Sequence, residues 1–242
     1  MLNVDDPNCR ALAEKCPAPW VEVGFSPDAG NQIRDVHYGR ESSAFTLFGQ
    51  RFELPMIGEF NVRNAAMAVS GAHFYGVPFA EIRKALLSFT GIRRRQEVRG
   101  EAGGVTVVDD FGHHPTAIAQ TLEGLRVKYP DAKLWAVFEP RSNTTRRAVF
   151  QDVLPKAFAG ADGVVLAQVA RMEQLPENER LNPEKVVSDL KALGKPAFYE
   201  ADTAAIIDRL TGLAGKGDVI VVFSNGGFDN IHAKLLEALK GR

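Results

Sequence analysis

Two carboxylates and two imidazoles lie within six positions of this 242-residue chain, at Asp109, Asp110, His113 and His114. Carboxylates and imidazoles bind metals, transfer protons and form hydrogen bonds, so this spacing can carry chemistry. Three interpretations are open: a helix cap with solvated histidines, a metal site, or a nucleotide or substrate site. The metal site is the less favoured, because no further His or Cys cluster completes a ligand shell.

The elements around this cluster place it at the edge of a sheet. An apolar strand is predicted at 105–109, and Pro115 opens a helix predicted at 115–128. Further strands are predicted at 134–139, 163–167, 197–199 and 219–223, with helices at 146–158, 183–192, 202–212 and 228–240. This alternation predicts an α/β fold with a mainly parallel sheet and helices on both faces. The strand ends at 109, 139, 167 and 223 should border one crevice.

A different pattern precedes this region. Short alternating runs at 21–25, 44–48 and 51–54 predict antiparallel strands. Two helices follow, an alanine-rich one at 62–75 and one that starts after Pro78. The run from Gly91 to Arg95 breaks the pattern, so we expect a domain boundary between residues 92 and 93.

Composition excludes several classes of function. A net charge of −1 argues against a nucleic-acid surface. No apolar stretch reaches the roughly 20 residues that a membrane span needs. Cys9 and Cys16 fit neither a disulfide framework nor a zinc site, so we expect reduced thiols in a cytoplasmic protein. The sequence leaves the oligomeric state open.

Three of the four predicted strand ends carry polar side chains, which is the best evidence for a site. After the second strand, Arg141 next to a helix start expected near Thr145 would bind an anion such as a peptide carboxylate, although Asn143 or Thr144 could simply be a cap. Ser224, Asn225 and Gly226 follow the last strand.

Two further groups of residues have alternative roles. Asn61 and Asn64 are either a cap and a first-turn residue or amides that face the edge of a purine. The run from Arg93 to Arg95 is either a solvated charge run or a source of one phosphate-binding guanidinium.

Three segments carry a resemblance to a known family. The run Asp-Asp-Phe-Gly-His-His-Pro-Thr at 109–116, Phe-Glu-Pro-Arg-Ser-Asn-Thr at 138–144 and Ser-Asn-Gly-Gly-Phe at 224–228 resemble the Mur ligases, the ATP-dependent amino-acid and peptide ligases of bacterial cell-wall synthesis. The resemblance extends from about Gly58 to the end. The form Glu-Pro-Arg-Ser-Asn-Thr is similar to members that join UDP-N-acetylmuramate to the recycled murein tripeptide L-alanyl-γ-D-glutamyl-meso-diaminopimelate, whereas L-alanine-adding members resemble Gln-Pro-His-Arg.

The resemblance implies roles for individual residues. The predicted ATP contacts are Asn61, Asn64, Arg95, Asp110 and Phe111. The predicted peptide contacts are His113, His114, Arg141, Ser142, Asn143, Thr144, Ser224, Asn225 and Gly226. No catalytic residue and no metal ligand is assigned within the chain, and ligands for Mg²⁺ are expected upstream. Asp229 stands where the family tends to have glycine.

The phosphate loop Gly-x-x-x-x-Gly-Lys-Ser/Thr does not occur in the sequence, and Gly212–Gly217 is best interpreted as a turn. The resemblance therefore implies that 1–92 is the C-terminal part of a central ATPase domain and 93–242 the Rossmann-like C-terminal domain of a longer ligase. We expect the chain alone to be inactive. The alternatives are an L-alanine ligase, a non-catalytic peptide- or nucleotide-binding module and, least favoured, a metal-dependent phosphoesterase.

Overall fold

The computed structural model describes residues 1–241 and divides the chain into two compact units, Met1–Gly91 and a second that starts at Ile92. Residue 242, the last of the predicted second domain, lies outside the described residues. The division falls one residue before the boundary predicted from the sequence.

The first unit has a three-stranded antiparallel sheet in the order β3-β4-β5 and a separate parallel pair, β1-β2. Phe45 and Phe52 stack at 5.6 Å between ring centroids and pack with Val62 and Ala66 in a core of its own. In chain order its elements are β1 (Leu2–Asn3), α1 (Pro7–Ala13), β2 (Glu22–Val23), β3 (Arg34–Tyr38), β4 (Ser43–Leu47), β5 (Gln50–Leu54), α2 (Glu59–Phe74) and α3 (Phe79–Leu87).

The antiparallel strand predicted at 21–25 is wrong. Only Glu22 and Val23 form a strand, and they pair in parallel with Leu2 and Asn3. The partner lies some twenty residues away in sequence, so local alternation could not indicate it. β3 was not predicted, because its charged and half-exposed residues lack an apolar alternation.

The second unit confirms the predicted α/β fold. Its six strands lie in the order β10-β9-β8-β11-β7-β6, and all neighbours are parallel except β6, which runs antiparallel to β7. Its elements are β6 (Glu97–Ala102), β7 (Val105–Asp110), α4 (Pro115–Lys128), β8 (Leu134–Phe138), α5 (Leu154–Ala157), β9 (Gly163–Ala167), α6 (Pro183–Ala192), β10 (Ala197–Glu200), α7 (Thr203–Leu213), β11 (Val219–Phe223) and α8 (Ile231–Lys240).

Helices cover both faces of this sheet. Every residue of β8, β9 and β11 is buried, which explains why these strands are continuous apolar runs. One face packs against α4, α5 and α6 through residues such as Ile118 and Leu190, and the other against α7 and α8 through Leu210 and Leu235.

Three local predictions in this unit need correction. β6 was missed because it is a charged edge strand that pairs on one side only. The helix predicted at 146–158 is only a 3-10 turn, Ala148–Phe150, followed by α5, because Arg147 bridges to Arg180 and holds the chain extended before it. The last helix begins at Ile231, after a 3-10 turn at Phe228–Asn230 whose residues have left-handed φ values of 41° to 54°.

Close packing between β8 and β9 gives a test of this architecture. A Cβ at Gly163 would overlap the indole of Trp135, so we expect Gly163→Ala to lower the free energy of unfolding by about 1–3 kcal/mol. Gly212 in α7 has open space around it, and Gly212→Ala should raise the same quantity by about 0.5–1 kcal/mol. Urea unfolding of the two variants measures both changes, and an unaffected Gly163→Ala protein would contradict the strand packing.

Candidate functional site

Asp110 ends β7 with its side chain buried, at 2% exposure. Its Oδ1 accepts a hydrogen bond from the Gly112 amide at 2.6 Å, and its Oδ2 accepts from the Gln96 amide at 2.9 Å and the Thr121 hydroxyl at 3.4 Å. Burial raises the pKa of Asp110 above its ordinary value, although the two amides oppose the shift. The carboxyl group therefore ties the segment before β6 to the loop after β7.

Asp109 faces a different set of partners. Its Oδ2 lies 3.2 Å from Arg94 Nε and 3.5 Å from Arg99 Nη1, and its Oδ1 lies 3.4 Å from Nε2 of the buried His232 in α8. Burial alone would raise the pKa of Asp109, but His232 and Arg94 more than offset this and hold the pKa below its ordinary value. Asp109 is therefore a buried anion that is matched by cations.

The loop after β7 presents an aromatic ring beneath two guanidinium groups. The Cζ atoms of Arg94 and Arg95 lie 5.3 and 5.4 Å from the centre of the Phe111 ring, within the range of cation–π attraction. Arg95 is exposed and Phe111 is half-buried. His113 Nδ1 lies 3.1 Å from the Phe111 carbonyl oxygen.

His114, rather than an aspartate, is the cap of α4. Its Nδ1 accepts a hydrogen bond from the Thr116 amide at 3.3 Å, and Pro115 occupies the first turn. The ring is exposed and packs edge-on against Phe150 with 4.9 Å between centroids. The predicted cap at Asp109 or Asp110 is therefore wrong, and the cap is His114, for which that interpretation expected a solvated loop residue.

The loop after β8 differs from its prediction. No helix begins near Thr145, because residues 143–147 form turns and a bridge, so Arg141 has no helix amino terminus beside it. The Ser142 hydroxyl accepts a hydrogen bond from the Thr145 amide at 3.1 Å, while Asn143 and Thr144 are exposed. The buried Arg146 donates to Asn143 Oδ1 at 2.7 Å and fixes this loop from within.

The loop after β11 joins the loop after β8. The Ser224 hydroxyl donates to Glu139 Oε2 at 2.5 Å and accepts from the Gly226 amide at 2.9 Å. A Cβ at Gly226 would lie 2.6 Å from Arg141 Cδ, so the Arg141 side chain passes closely over this glycine. Asn225 Oδ1 is buried, and no hydrogen-bond partner for it is found among residues 1–241. The structure thus brings together the two loops that the sequence analysis had selected separately.

A cavity of about 440 Å³ opens beside Arg141, at the carboxyl ends of β8, β9 and β10. Sequence reasoning missed several of its residues. Glu139 lies in its wall, and Arg171 follows β9 with a left-handed φ of 52°. The Arg171 carbonyl oxygen accepts a hydrogen bond from Arg146 Nη1 at 3.2 Å. The strand end at 167 was the one signal that could have indicated Arg171. The lining residues are Glu139, Arg141, Ala167–Glu173, Ala201–Thr203, Phe228 and Asp229.

The first unit holds the two predicted asparagines in α2. Asn61 is buried and its Nδ2 donates to the Ile57 carbonyl at 2.7 Å, whereas Asn64 is exposed one turn later. Cys9 and Cys16 are free thiols.

Within residues 1–241, no three His, Cys, Asp or Glu side chains are grouped to hold a metal ion. No helix in that range has the length and apolar character to cross a membrane.

Comparisons with known proteins identify the family of the chain. The family model described as "Mur ligase, glutamate ligase domain" matches residues 94–226. The chain is 43% identical over 185 residues to UDP-N-acetylmuramate–L-alanyl-gamma-D-glutamyl-meso-2,6-diaminoheptandioate ligase of Escherichia coli K12, which covers 76% of this chain and 38% of that protein. It is 33% identical to UDP-N-acetylmuramate–L-alanine ligase of Salinibacter ruber, over 93% of this chain and 48% of that protein.

A solved structure also resembles the chain. The murein peptide ligase of Psychrobacter arcticus 273-4 matches with a TM-score of 0.65 and 30% identity, over 89% of this chain and 45% of that one. The chain therefore spans less than half the length of each of these three proteins.

The pairing of Asp109 predicts a pH dependence. Because the pKa of Asp109 is lowered in the folded state, its ionised carboxylate stabilises the protein at pH values above the ordinary pKa of 3.8. This stabilisation is lost as the pH falls through the pKa that Asp109 has in the folded protein. We expect Asp109→Asn to lower the free energy of unfolding by about 1–3 kcal/mol at pH 7. The difference from the unsubstituted protein should persist at pH 5 and shrink at pH 3.

Urea unfolding at the three pH values measures this difference. Asp131→Asn, at an exposed position, is the matched control and should change little. A loss for Asp109→Asn that is the same at all three pH values would contradict the ion pairing.

Proposed function

The chain belongs to the Mur ligase family, and on that premise we propose that it is the nucleotide-closing and peptide-binding part of a murein peptide ligase. The complete enzyme would join UDP-N-acetylmuramate to L-alanyl-γ-D-glutamyl-meso-diaminopimelate during peptidoglycan recycling. The 43% identity to the Escherichia coli ligase of that name and the Glu-Pro-Arg-Ser-Asn-Thr form at 139–144 support this choice.

The proposed reaction proceeds in two steps. ATP phosphorylates the muramate carboxylate, and the free amine of the tripeptide then attacks the acyl carbon, so that an amide forms and phosphate leaves. The chain has no phosphate loop, so a segment outside it would hold the ATP phosphates and Mg²⁺. The role of this chain is to position the peptide amine and to neutralise charge.

On the nucleotide side of the second unit, we assign a ribose contact to Asp110, a base contact to Phe111 and a phosphate contact to Arg95. For the first unit, taken by itself, we assign contacts with a purine base to Asn61 and Asn64. The exposed guanidinium of Arg95 over Phe111 supports that contact. A carboxylate has about four acceptor positions, and Asp110 already uses three, so one is left for a ribose hydroxyl.

On the peptide side, the observation that carries the proposal is the cavity beside Arg141. Its volume of about 440 Å³ lies in the range of roughly 300–1,000 Å³ that small-molecule sites have. Arg141 and Arg171 would bind carboxylates of the tripeptide, and Glu139 and Asp229 would face its ammonium group. The unsatisfied Asn225 Oδ1 supplies an acceptor in the adjoining loop. His113, His114, Ser142, Asn143, Thr144, Ser224 and Gly226 complete the proposed peptide site.

A second candidate is an L-alanine ligase, which the 33% identity to the Salinibacter ruber enzyme favours. A single alanine would leave most of the cavity unused. The two candidates therefore differ in the ligand that this chain should bind.

The test is calorimetric titration of the chain with the tripeptide and, separately, with L-alanine. We expect measurable affinity for the tripeptide only. Arg141→Ala should weaken tripeptide binding by about 1.5–3 kcal/mol, because a charged hydrogen bond is lost. Arg147→Ala is the control, since Arg147 pairs with Glu179 and does not line the cavity. Equal affinity for both ligands, or normal binding by Arg141→Ala, would favour the L-alanine ligase or a different site.

A further inference from the structure

We propose that Arg94 is a positioning residue that joins the Phe111 loop to the Ser224 loop, and that Asp109 fixes its guanidinium. The inference rests on the proposed function, because its consequence is a correctly shaped peptide site. Arg94 lies in a run of three arginines of which only Arg95 carries a proposed ligand contact.

The contacts of Arg94 reach both loops at once. Its Nε pairs with Asp109 Oδ2 at 3.2 Å and its Nη2 donates to the Ser224 carbonyl at 2.7 Å, while the face of the group covers Phe111. The backbone is held as well, because the Arg94 carbonyl accepts from the Phe111 amide at 2.7 Å and the Arg94 amide donates to Glu97 Oε2 at 2.7 Å. One residue thus connects two loops that are 113 positions apart in sequence (224 − 111).

These contacts extend to the proposed peptide site. The Ser224 carbonyl that Arg94 holds belongs to the residue whose hydroxyl binds Glu139 and the Gly226 amide. Gly226 in turn lies directly beneath Arg141. These hydrogen-bonded and packed groups form a continuous series of contacts. A substitution of Arg94 should therefore change the position of the Arg141 side chain.

Asp109 holds the Arg94 end of this series of contacts in place. Asp109 is 1% exposed, in a strand whose residues 106–109 are paired on both sides. His232 approaches the carboxylate from α8 and Arg99 approaches it from β6, so two elements besides the Arg94 segment surround the anion. A rigid, buried anion limits the positions that the Arg94 guanidinium can take.

Arg99 provides a matched comparison. It pairs with the same oxygen of Asp109, at 3.5 Å, and its side chain is 40% exposed. No hydrogen bond or cation–π contact to Ser224 or Phe111 is found for Arg99 in the described part of the chain. If only the loss of a positive charge near Asp109 matters, substitution of Arg94 and substitution of Arg99 should weaken tripeptide binding alike. If Arg94 positions the loops, only its substitution should weaken binding.

The experiment is titration of the chain with the tripeptide for Arg94→Gln, Arg94→Lys and Arg99→Gln, with urea unfolding to correct for the folded fraction. We expect Arg94→Gln to raise the dissociation constant about tenfold or more, as for loss of a charged hydrogen bond. Arg99→Gln should stay within about twofold, a change too small to correspond to a hydrogen bond. Arg94→Lys keeps the cation without the forked donors, and it should recover only part of the affinity.

The outcomes separate the two hypotheses. If the unsubstituted chain binds the tripeptide and Arg94→Gln binds equally well, or Arg99→Gln weakens binding as much, the positioning role is overturned and the proposed function stands. If the unsubstituted chain does not bind the tripeptide, the proposed peptide site fails and this inference fails with it. If Arg94→Gln does not fold, the test rests on Arg94→Lys alone. An affinity of Arg94→Lys for the tripeptide equal to that of the unsubstituted chain would then contradict the positioning role.

Discussion

The position of β11 between β7 and β8 is the constraint on which the site depends. β11 comes last of the strands in sequence but pairs in parallel with both neighbours, so Phe223 lies opposite Asp110 on one side and Phe138 on the other. The ladder continues one residue further, because the Ser224 amide donates to the Asp110 carbonyl at 3.1 Å and the Glu139 amide donates to the Phe223 carbonyl at 3.0 Å. Three loops from distant parts of the chain therefore leave the sheet at the same level.

Polar contacts then fix the loops in one arrangement. Asp109 and Asp110 are adjacent, yet their pKa values shift in opposite directions, because burial raises both and only at Asp109 do His232 and Arg94 outweigh it. Both act on residues 94–96, where Arg94 and Gln96 have left-handed φ values of 60° and 49°. Contacts within the protein thus fix the interior of the site, while the side chains of Arg95, Arg141 and Arg171 are exposed.

Continuous apolar runs explain why much of the fold could be predicted. β9 and β11 have the predicted bounds, because a strand buried on both faces leaves a clear signal. β6 and β3 left no such signal, since edge strands carry charged and exposed residues. The helix expected at 146–158 failed for a different reason: the extended path there is set by a bridge to Arg180, which local periodicity does not register.

The candidate site, like the fold, could be predicted from the sequence only in part. The loops at 109–114, 141–144 and 224–226 could be selected because polar residues follow apolar strands. The roles of Arg94, Arg146 and His232 could not, since an arginine run or a helical histidine usually indicates a solvated surface, and their partners lie far away in sequence.

The most direct test of a peptide site at this edge of the sheet is a titration of the ¹⁵N-labelled chain with the tripeptide, followed by amide chemical shifts. We expect the shifts to concentrate at 113–114, 139–146, 167–173 and 224–229. Shifts centred on the opposite edge of the sheet, at 103–105, 161–163 and 215–219, or no shifts at saturating tripeptide, would contradict it.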